Sequence, residues 1–271
     1  MNSIAFIGGG NMASCLIGGL LANGYQRRQL SVSDPEDLAR KAIQERHQIT
    51  AFNDNRAAVN SADIVVLAVK PQLIGDIARD LRTALKPRCA VVSIAAGVPL
   101  GALRNWLGES LAIVRAMPNT PAMVLNGAAG LFANSHVTSQ QRDTVEQLFN
   151  AVGSSCWLET ENQVDVVTAV SGSGPAYFFL VFEIMQRVAV ELGLPAQTAR
   201  ELVLQTARGA TEMARSTASP PGELRQQVTS PGGTTERAIE TLDNGGLEDL
   251  LRRAMQAAVT RAEEMSNDYS S

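Results

Sequence analysis

The groups that could do acid–base chemistry in this chain are few. Lysine occurs only at Lys41, Lys70 and Lys86, and histidine only at His47 and His136. After Glu161 there is neither. Oxidation of an alcohol calls for such a group to accept the hydroxyl proton near neutral pH. What the chain offers instead is three stretches of glycine and hydroxyl residues. They are Gly8-Gly9-Gly10-Asn11-Met12-Ala13, Val170-Ser171-Gly172-Ser173-Gly174-Pro175, and Val228-Thr229-Ser230-Pro231-Gly232-Gly233-Thr234-Thr235.

The first fits G-x-G-x-x-A after the apolar run Ile4–Ile7 and before a helical pattern. The first glycine makes the tight turn, the second lets backbone approach a pyrophosphate, and the third small residue allows close helix–strand packing. The helix start then turns its N–H groups toward the phosphates. Asp34 closes the second strand, where a carboxylate can bind the adenosine ribose hydroxyls and favour NAD(H). Arg40 and Lys41 follow and could meet a 2′-phosphate, so the choice between NAD(H) and NADP(H) stays open at this point. Two further loops should frame the cofactor, Lys70-Pro71-Gln72 and Met117-Pro118-Asn119-Thr120-Pro121, each after a strand.

The other two stretches suit a substrate. Ser171 and Ser173 either cap the following helix or touch the substrate, with Pro175 fitted to its first turn. Ser230 to Thr235 opens a helix with bare N–H groups and hydroxyls, a setting for a carboxylate. Reduction of a C=N bond has lighter demands than alcohol oxidation, because a protonated imine is already electrophilic. Binding, orientation and a neighbouring hydroxyl then suffice, and orientation alone contributes ~7–11 kcal/mol.

The elements that must hold these groups fall into two sets. To about Trp157, apolar runs at Ile4–Ile7, Leu30–Ser33, Ile64–Val69, Ala90–Ile94, Ala112–Ala116 and Gly130–Phe132 alternate with helical patterns such as Asn11–Asn23 and Gln72–Leu85. Repeated βα units predict an α/β Rossmann domain with a doubly wound parallel sheet. Beyond Glu161 the pattern is all helical, over Val164–Val170, Ala176–Leu192, Ala196–Ser216, Thr234–Leu242 and Leu247–Met265. The expected division is residues 1–161 for the dinucleotide and 162–271 for a helical substrate-binding and dimerisation domain. Ala176–Leu192 is apolar nearly all round, which predicts burial in a bundle or a subunit interface.

Composition narrows the class. The 271 residues are 45% hydrophobic and 18% charged, with a net charge of −4 and a pI of about 5.3. That balance gives no electrostatic reason to expect nucleic acid or an anionic membrane as partner. Cys15, Cys89 and Cys156 form neither a metal-ligand spacing nor a disulfide framework, so no metal is expected and the thiols read as buried and reduced. The N-terminus does not read as a signal peptide, and Ala176–Val190, interrupted by Glu183 and Arg187, reads as too short and too charged to span a bilayer. A cytoplasmic protein is the expectation.

With these residues in place, the chain resembles the Δ1-pyrroline-5-carboxylate reductase family along nearly its whole length. The resemblance rests on FIGGGNMA (Phe6–Ala13), AVKPQ (Ala68–Gln72), SIAAGV (Ser93–Val98), RAMPNTPA (Arg115–Ala122), AVSGSGPAYFF (Ala169–Phe179) and, most specifically, VTSPGGTTERAI (Val228–Ile239). It implies hydride transfer from NADPH or NADH to the ring imine, giving L-proline, by homodimers that assemble into decamers in some members. It also implies that Gly8, Gly9, Gly10, Asn11, Met12, Asn55, Ala68, Val69, Lys70, Pro71, Ala95, Ala96 and Gly97 hold the cofactor. Ser230, Gly232, Gly233 and Thr234 would hold the substrate carboxylate, and Thr235 the ring nitrogen. Asp34 departs from members with Ser or Asn followed by a basic residue, which bears on the coenzyme. A β-hydroxyacid dehydrogenase is the competing enzyme, opposed by the missing Lys and His. A regulatory dinucleotide binder is the competing non-enzyme, opposed by the second bare helix start.

Overall fold

The computed structural model describes residues 2–269. Eight strands form one sheet: β1 Ile4–Ile7, β2 Leu30–Ser33, β3 Thr50–Phe52, β4 Ile64–Leu67, β5 Ala90–Ser93, β6 Ala112–Met117, β7 Gly127–Ala133 and β8 Gly153–Trp157. Their spatial order is β3-β2-β1-β4-β5-β6-β7-β8, with every pair parallel except β6–β7. The strand order reverses between β1 and β4, where a doubly wound sheet opens a crevice for ligand at its carboxyl edge. In β1, Ile4 and Phe6 join one hydrophobic core, and Ala5 and Ile7 join the other. Both faces of the strand are therefore covered, which is why its sequence shows no polar alternation.

Helices α1 Asn11–Ala22, α2 Asp37–His47, α3 Asn55–Val59, α4 Pro71–Leu81, α5 Leu100–Leu107 and α6 Ser139–Asn150 connect the strands. They are followed by α7 Gln163–Val167, a π turn at Thr168–Gly172, α8 Gly174–Glu191, α9 Ala196–Ser216, α10 Pro221–Gln227, α11 Thr234–Asn244 and α12 Leu247–Asn267.

The sequence missed two strands, both at sheet edges. β3 is only three residues long and partly exposed, and β8 reads Gly-Ser-Ser-Cys-Trp with no apolar run. The antiparallel β7 departs from the expected all-parallel order. Residues 118–126 are too few for the crossover of roughly a dozen residues that a parallel return requires. Cys89 is buried as expected, but Cys15 is only half-buried and Cys156, on edge strand β8, is exposed.

The chain divides into two compact units, Met1–Pro175 with Ala257–Ser271, and Ala176–Gln256. The boundary expected at 161/162 falls inside the first unit, because α7 packs against β6 and β7. The end of α12 belongs there too, and Tyr269, in the turn just beyond it, lies edge-on to Trp106 at 5.9 Å between ring centres.

Residues 163–191 form a 29-residue helical run through α7, the π turn and α8, with a bend at Ser173 where the π turn meets α8. The expectation concerned Ala176–Val190 alone; the helical run that contains it is long and apolar enough to cross a membrane by length and composition, because the π turn joins two helices that the sequence pattern separates. In the single chain the apolar side chains of α8 lie open, Phe178 and Phe179 at 64% exposure each, and only Gly174 is buried.

Candidate active site

The carboxyl edge of the sheet is built around Gly8. Its φ is +100°, and a Cβ there would lie 2.5 Å from the Ala68 carbonyl oxygen. No side chain fits, so β1 and β4 can bring their ends this close only through glycine. Gly10 caps α1 without a side-chain hydrogen bond, and the first bond of the helix runs from Ser14 N–H to the Gly10 carbonyl. The N–H groups of Asn11, Met12 and Ala13 are thus left without an intrahelical acceptor, at the positive end of the helix. A side chain at Gly10 would meet nothing within 4 Å, so the approach is open. Ala13, fully buried, lets α1 lie against the sheet. These residues fit the pyrophosphate of a dinucleotide.

Asp34 lies beside this loop. Its Oδ2 accepts from Gly9 N–H at 2.8 Å and its Oδ1 from Glu36 N–H at 2.9 Å. The two nearby cations face elsewhere. Arg40 donates through Nη1 to the Asp34 and Pro35 carbonyls, both at 2.8 Å, and through Nη2 to Asp37 at 3.0 Å. Lys41 pairs with Asp37 at 2.7 Å, which raises the lysine's proton affinity and lowers that of the carboxylate.

Asn55 starts α3 at the same edge, and its Oδ1 accepts from Ser33 Oγ at 2.8 Å. Ala68 and Val69 follow β4, Lys70 precedes α4 and Pro71 is its first residue. Ala95, Ala96 and Gly97 follow β5. Ser14, in the first turn of α1, bonds His47 Nε2 at 2.8 Å, and burial, then Arg46, holds the imidazole below the ordinary histidine range.

Asn119, expected to face the cofactor, uses its side chain internally. Nδ2 donates to the Ser171 carbonyl at 3.0 Å, and Oδ1 accepts from Ala128 N–H at 2.8 Å. Ser171 Oγ donates to the Val167 carbonyl at 3.1 Å, and Ser173 N–H to the Thr168 carbonyl at 2.8 Å.

Arg115 is a functional candidate to which no motif assigns a role. It is 4% exposed at the carboxyl end of β6 and donates through Nη1 to Glu161 Oε1 at 2.6 Å. The same oxygen accepts from Leu100 N–H at 2.7 Å, which ties the start of α5 to β6. Asp165 lies 3.6 Å from Nη2 of the same guanidinium. Burial raises its carboxyl pKa, Arg115 opposes this, and Glu161 and Glu263 add to it. The signal in the sequence was one Arg inside an apolar strand.

In the second unit, Gly232 has φ +72° and turns the chain into Gly233, the cap of α11. Gly233 N–H donates to the Ser230 carbonyl at 3.0 Å, which closes the loop. The cap has no side-chain bond, and Thr234 and Thr235 are exposed in the first turn. Glu236, not foreseen, reaches back to accept from Gly232 N–H at 2.7 Å. The pattern that marks it is an acidic residue three places after a helix cap.

Two open clefts, of about 400 and 500 Å³, sit at the opposite edge of the sheet, around Ser110 and His136. They adjoin the amino ends of parallel strands, where this architecture does not place its chemistry.

Residues 161–265 match the family described as pyrroline-5-carboxylate reductase dimerisation, and residues 3–97 match NADP oxidoreductase, coenzyme F420-dependent. A pyrroline-5-carboxylate reductase of Pseudomonas aeruginosa is 49% identical over 263 residues, covering 97% of this chain and 96% of that protein. The chain belongs to the pyrroline-5-carboxylate reductase family. A solved family structure from Coxiella burnetii superposes with a TM-score of 0.94 at 44% identity, over 98% of both chains. One from Plasmodium falciparum, with NADP bound, gives 0.86 at 28% identity, again over 98% of both. As a family member the chain is an NAD(P)H-dependent reductase of the ring imine of Δ1-pyrroline-5-carboxylate, the last step of proline biosynthesis. Its matched dimerisation region makes it a homo-oligomer, and α8, whose apolar side chains are uncovered in the single chain, lies within that region.

Proposed function

We propose that the coenzyme is held by the glycine loop and the substrate carboxylate by the start of α11. The bare N–H groups of Asn11, Met12 and Ala13 take the pyrophosphate, and the loops Ala68–Pro71 and Ala95–Gly97, with Asn55, line the remainder of the coenzyme. When bound, NAD(P)H supplies the hydride. The first-turn N–H groups of α11, with Ser230, Gly232, Gly233 and Thr234, hold the carboxylate. Thr235 Oγ hydrogen-bonds the ring nitrogen and holds the proton there, while Ser173 completes the substrate side. No general base of Lys or His type is needed, because the acceptor carbon of a protonated imine is already electron-poor.

The division of labour is functional rather than one of compact units: residues 1–161 serve the cofactor and residues 162–271 the substrate and dimerisation, in a cytoplasmic protein whose dimers are able to assemble into decamers. On the coenzyme we infer that NADH serves at least as well as NADPH. Asp34 sits beside the glycine loop as an acceptor for ribose hydroxyls, and Arg40 and Lys41 are engaged by Asp37 and by backbone carbonyls. A 2′-phosphate would meet the Asp34 carboxylate with no free cation from that pair.

The observation that carries the reading is the pair of uncapped helix starts at Asn11 and Thr234, in a chain without Lys or His after His136. Purified protein mixed with pyrroline-5-carboxylate should oxidise both NADH and NADPH with matching formation of proline, NADH giving the equal or higher kcat/KM. Folded protein that oxidises neither would overturn the reading.

A further inference from the structure

We propose that Asn119 is a positioning residue, which fixes the substrate-side turn before α8 to the loop that follows β6. The inference rests on the reading of Ser173 as a substrate-side residue. Asn119 is 9% exposed, and both ends of its amide are engaged, Nδ2 on the Ser171 carbonyl and Oδ1 on Ala128 N–H. A coenzyme contact from this side chain would leave a buried N–H donor or backbone group unpaired, a loss larger than a surface contact recovers.

The need for this bond lies in the helix. In an α-helix the Ser171 carbonyl would accept from the N–H of residue 175. Residue 175 is proline and has none. The chain widens here into a π turn, with Ser173 N–H reaching back to Thr168. Such turns persist inside helices where surrounding contacts hold them, often at functional sites. Asn119 Nδ2 supplies the donor that Pro175 lacks, from 52 residues away in sequence. The bond from Ala128 N–H fixes the amide's orientation, and the end of the Met117 side chain fills the space that a side chain on Gly172 would take. The loop after β6, the start of β7 and the π turn are therefore one rigid piece. The Ser171 hydroxyl is turned inward to Val167, which leaves the Ser173 hydroxyl, among the described residues, without a protein partner and available to substrate. Hydride transfer is sensitive to small displacements, about 100-fold for ~1 Å. A turn released by loss of its outside donor should therefore affect turnover without touching the coenzyme.

Asn119→Asp keeps the acceptor for Ala128 and removes only the donor to Ser171; Asn119→Ala removes both without adding charge, and serves if the first variant does not fold. The expected result is a loss in kcat of about tenfold or more, with the Kd of NADH and NADPH, read by fluorescence, within about twofold of the parent. Pro175→Ala restores an N–H at residue 175 and should recover part of the loss in the double variant. Hydrogen exchange over residues 168–175 reads the same link without turnover and should quicken in the Asn119 variants, so that a silent wild-type assay counts against the reductase reading alone. An unchanged kcat and exchange rate would overturn the proposal. So would coenzyme Kd rising in step with the loss of kcat, or a loss that Pro175→Ala leaves untouched.

Discussion

The helix starts at Asn11 and Thr234 are alike in sequence, each a run of glycines entering a helix with no side-chain cap, and they differ in what holds them. At α1 the geometry is enforced by the sheet. Gly8 is pressed against the Ala68 carbonyl, and Ala13, Leu16 and Ile17 are buried under the core. At α11 no residue is buried in the single chain, and the chain's own Glu236 carboxylate already faces the N–H groups. A pyrophosphate site can thus be preformed by a folded sheet. The proposed carboxylate site lies within the matched dimerisation region, so oligomer assembly and substrate binding should be linked.

The largest effect that would break this comparison is Gly8→Ala. A side chain at φ +100° costs about 1–3 kcal/mol before the clash with Ala68 is counted. Coenzyme affinity should fall by roughly 10- to 100-fold or more, as measured by fluorescence titration, while binding of proline is spared. Equal losses of both would mean that the two helix starts are not independent.

Next comes Asp34→Ser. A hydrogen bond to a charged group is worth about 1.5–3 kcal/mol, so the NADPH-to-NADH ratio of kcat/KM should rise by about tenfold or more. An unmoved ratio would remove Asp34 from the ribose site. A smaller effect belongs to Glu236→Gln. Removing a negative charge from a helix start is worth about 0.3–1 kcal/mol to another anion there, so KM for pyrroline-5-carboxylate should drop a few-fold. A higher KM would mean that Glu236 assists the substrate.

The smallest concerns His47, which packs on α1 and has no counterpart in α11. Its folded proton affinity lies below the ordinary value of 6.5 because burial, and then Arg46, disfavour the charged form. The unfolded chain therefore binds more protons as pH falls below 6.5, and stability drops through that window toward the lowered folded value. Tm should be higher at about pH 8 than at about pH 5, and His47→Asn should flatten the difference. An unchanged slope would place the titration elsewhere.

How far the sequence could be read follows from which side chains take part in each decision. β1, β4 and β5 are buried on both faces and announce themselves as unbroken apolar runs. β3 and β8 owe their place to neighbouring strands rather than to their own residues, so no local pattern marked them. The glycine loop was legible because each of its residues answers a backbone constraint. The roles of Asn119 and Arg115 were not, because their partners Ser171 and Glu161 lie 52 and 46 positions away. The place of Asn119 after a strand suggests a cofactor contact, whereas its side chain bonds backbone groups on both sides. Glu236 is inconspicuous in the sequence beside the two threonines, although its carboxylate is what distinguishes this helix start from that of α1.

The central claim is that the start of α11 holds the imine and Thr235 serves its nitrogen, and Thr235→Val tests it most directly. The substitution keeps the shape and removes one hydrogen bond worth about 1–3 kcal/mol. Steady-state kinetics with pyrroline-5-carboxylate, beside direct titration of NADH and NADPH, should show kcat reduced by roughly 5- to 100-fold with coenzyme Kd unchanged. Full retention of kcat in the folded variant would contradict the account.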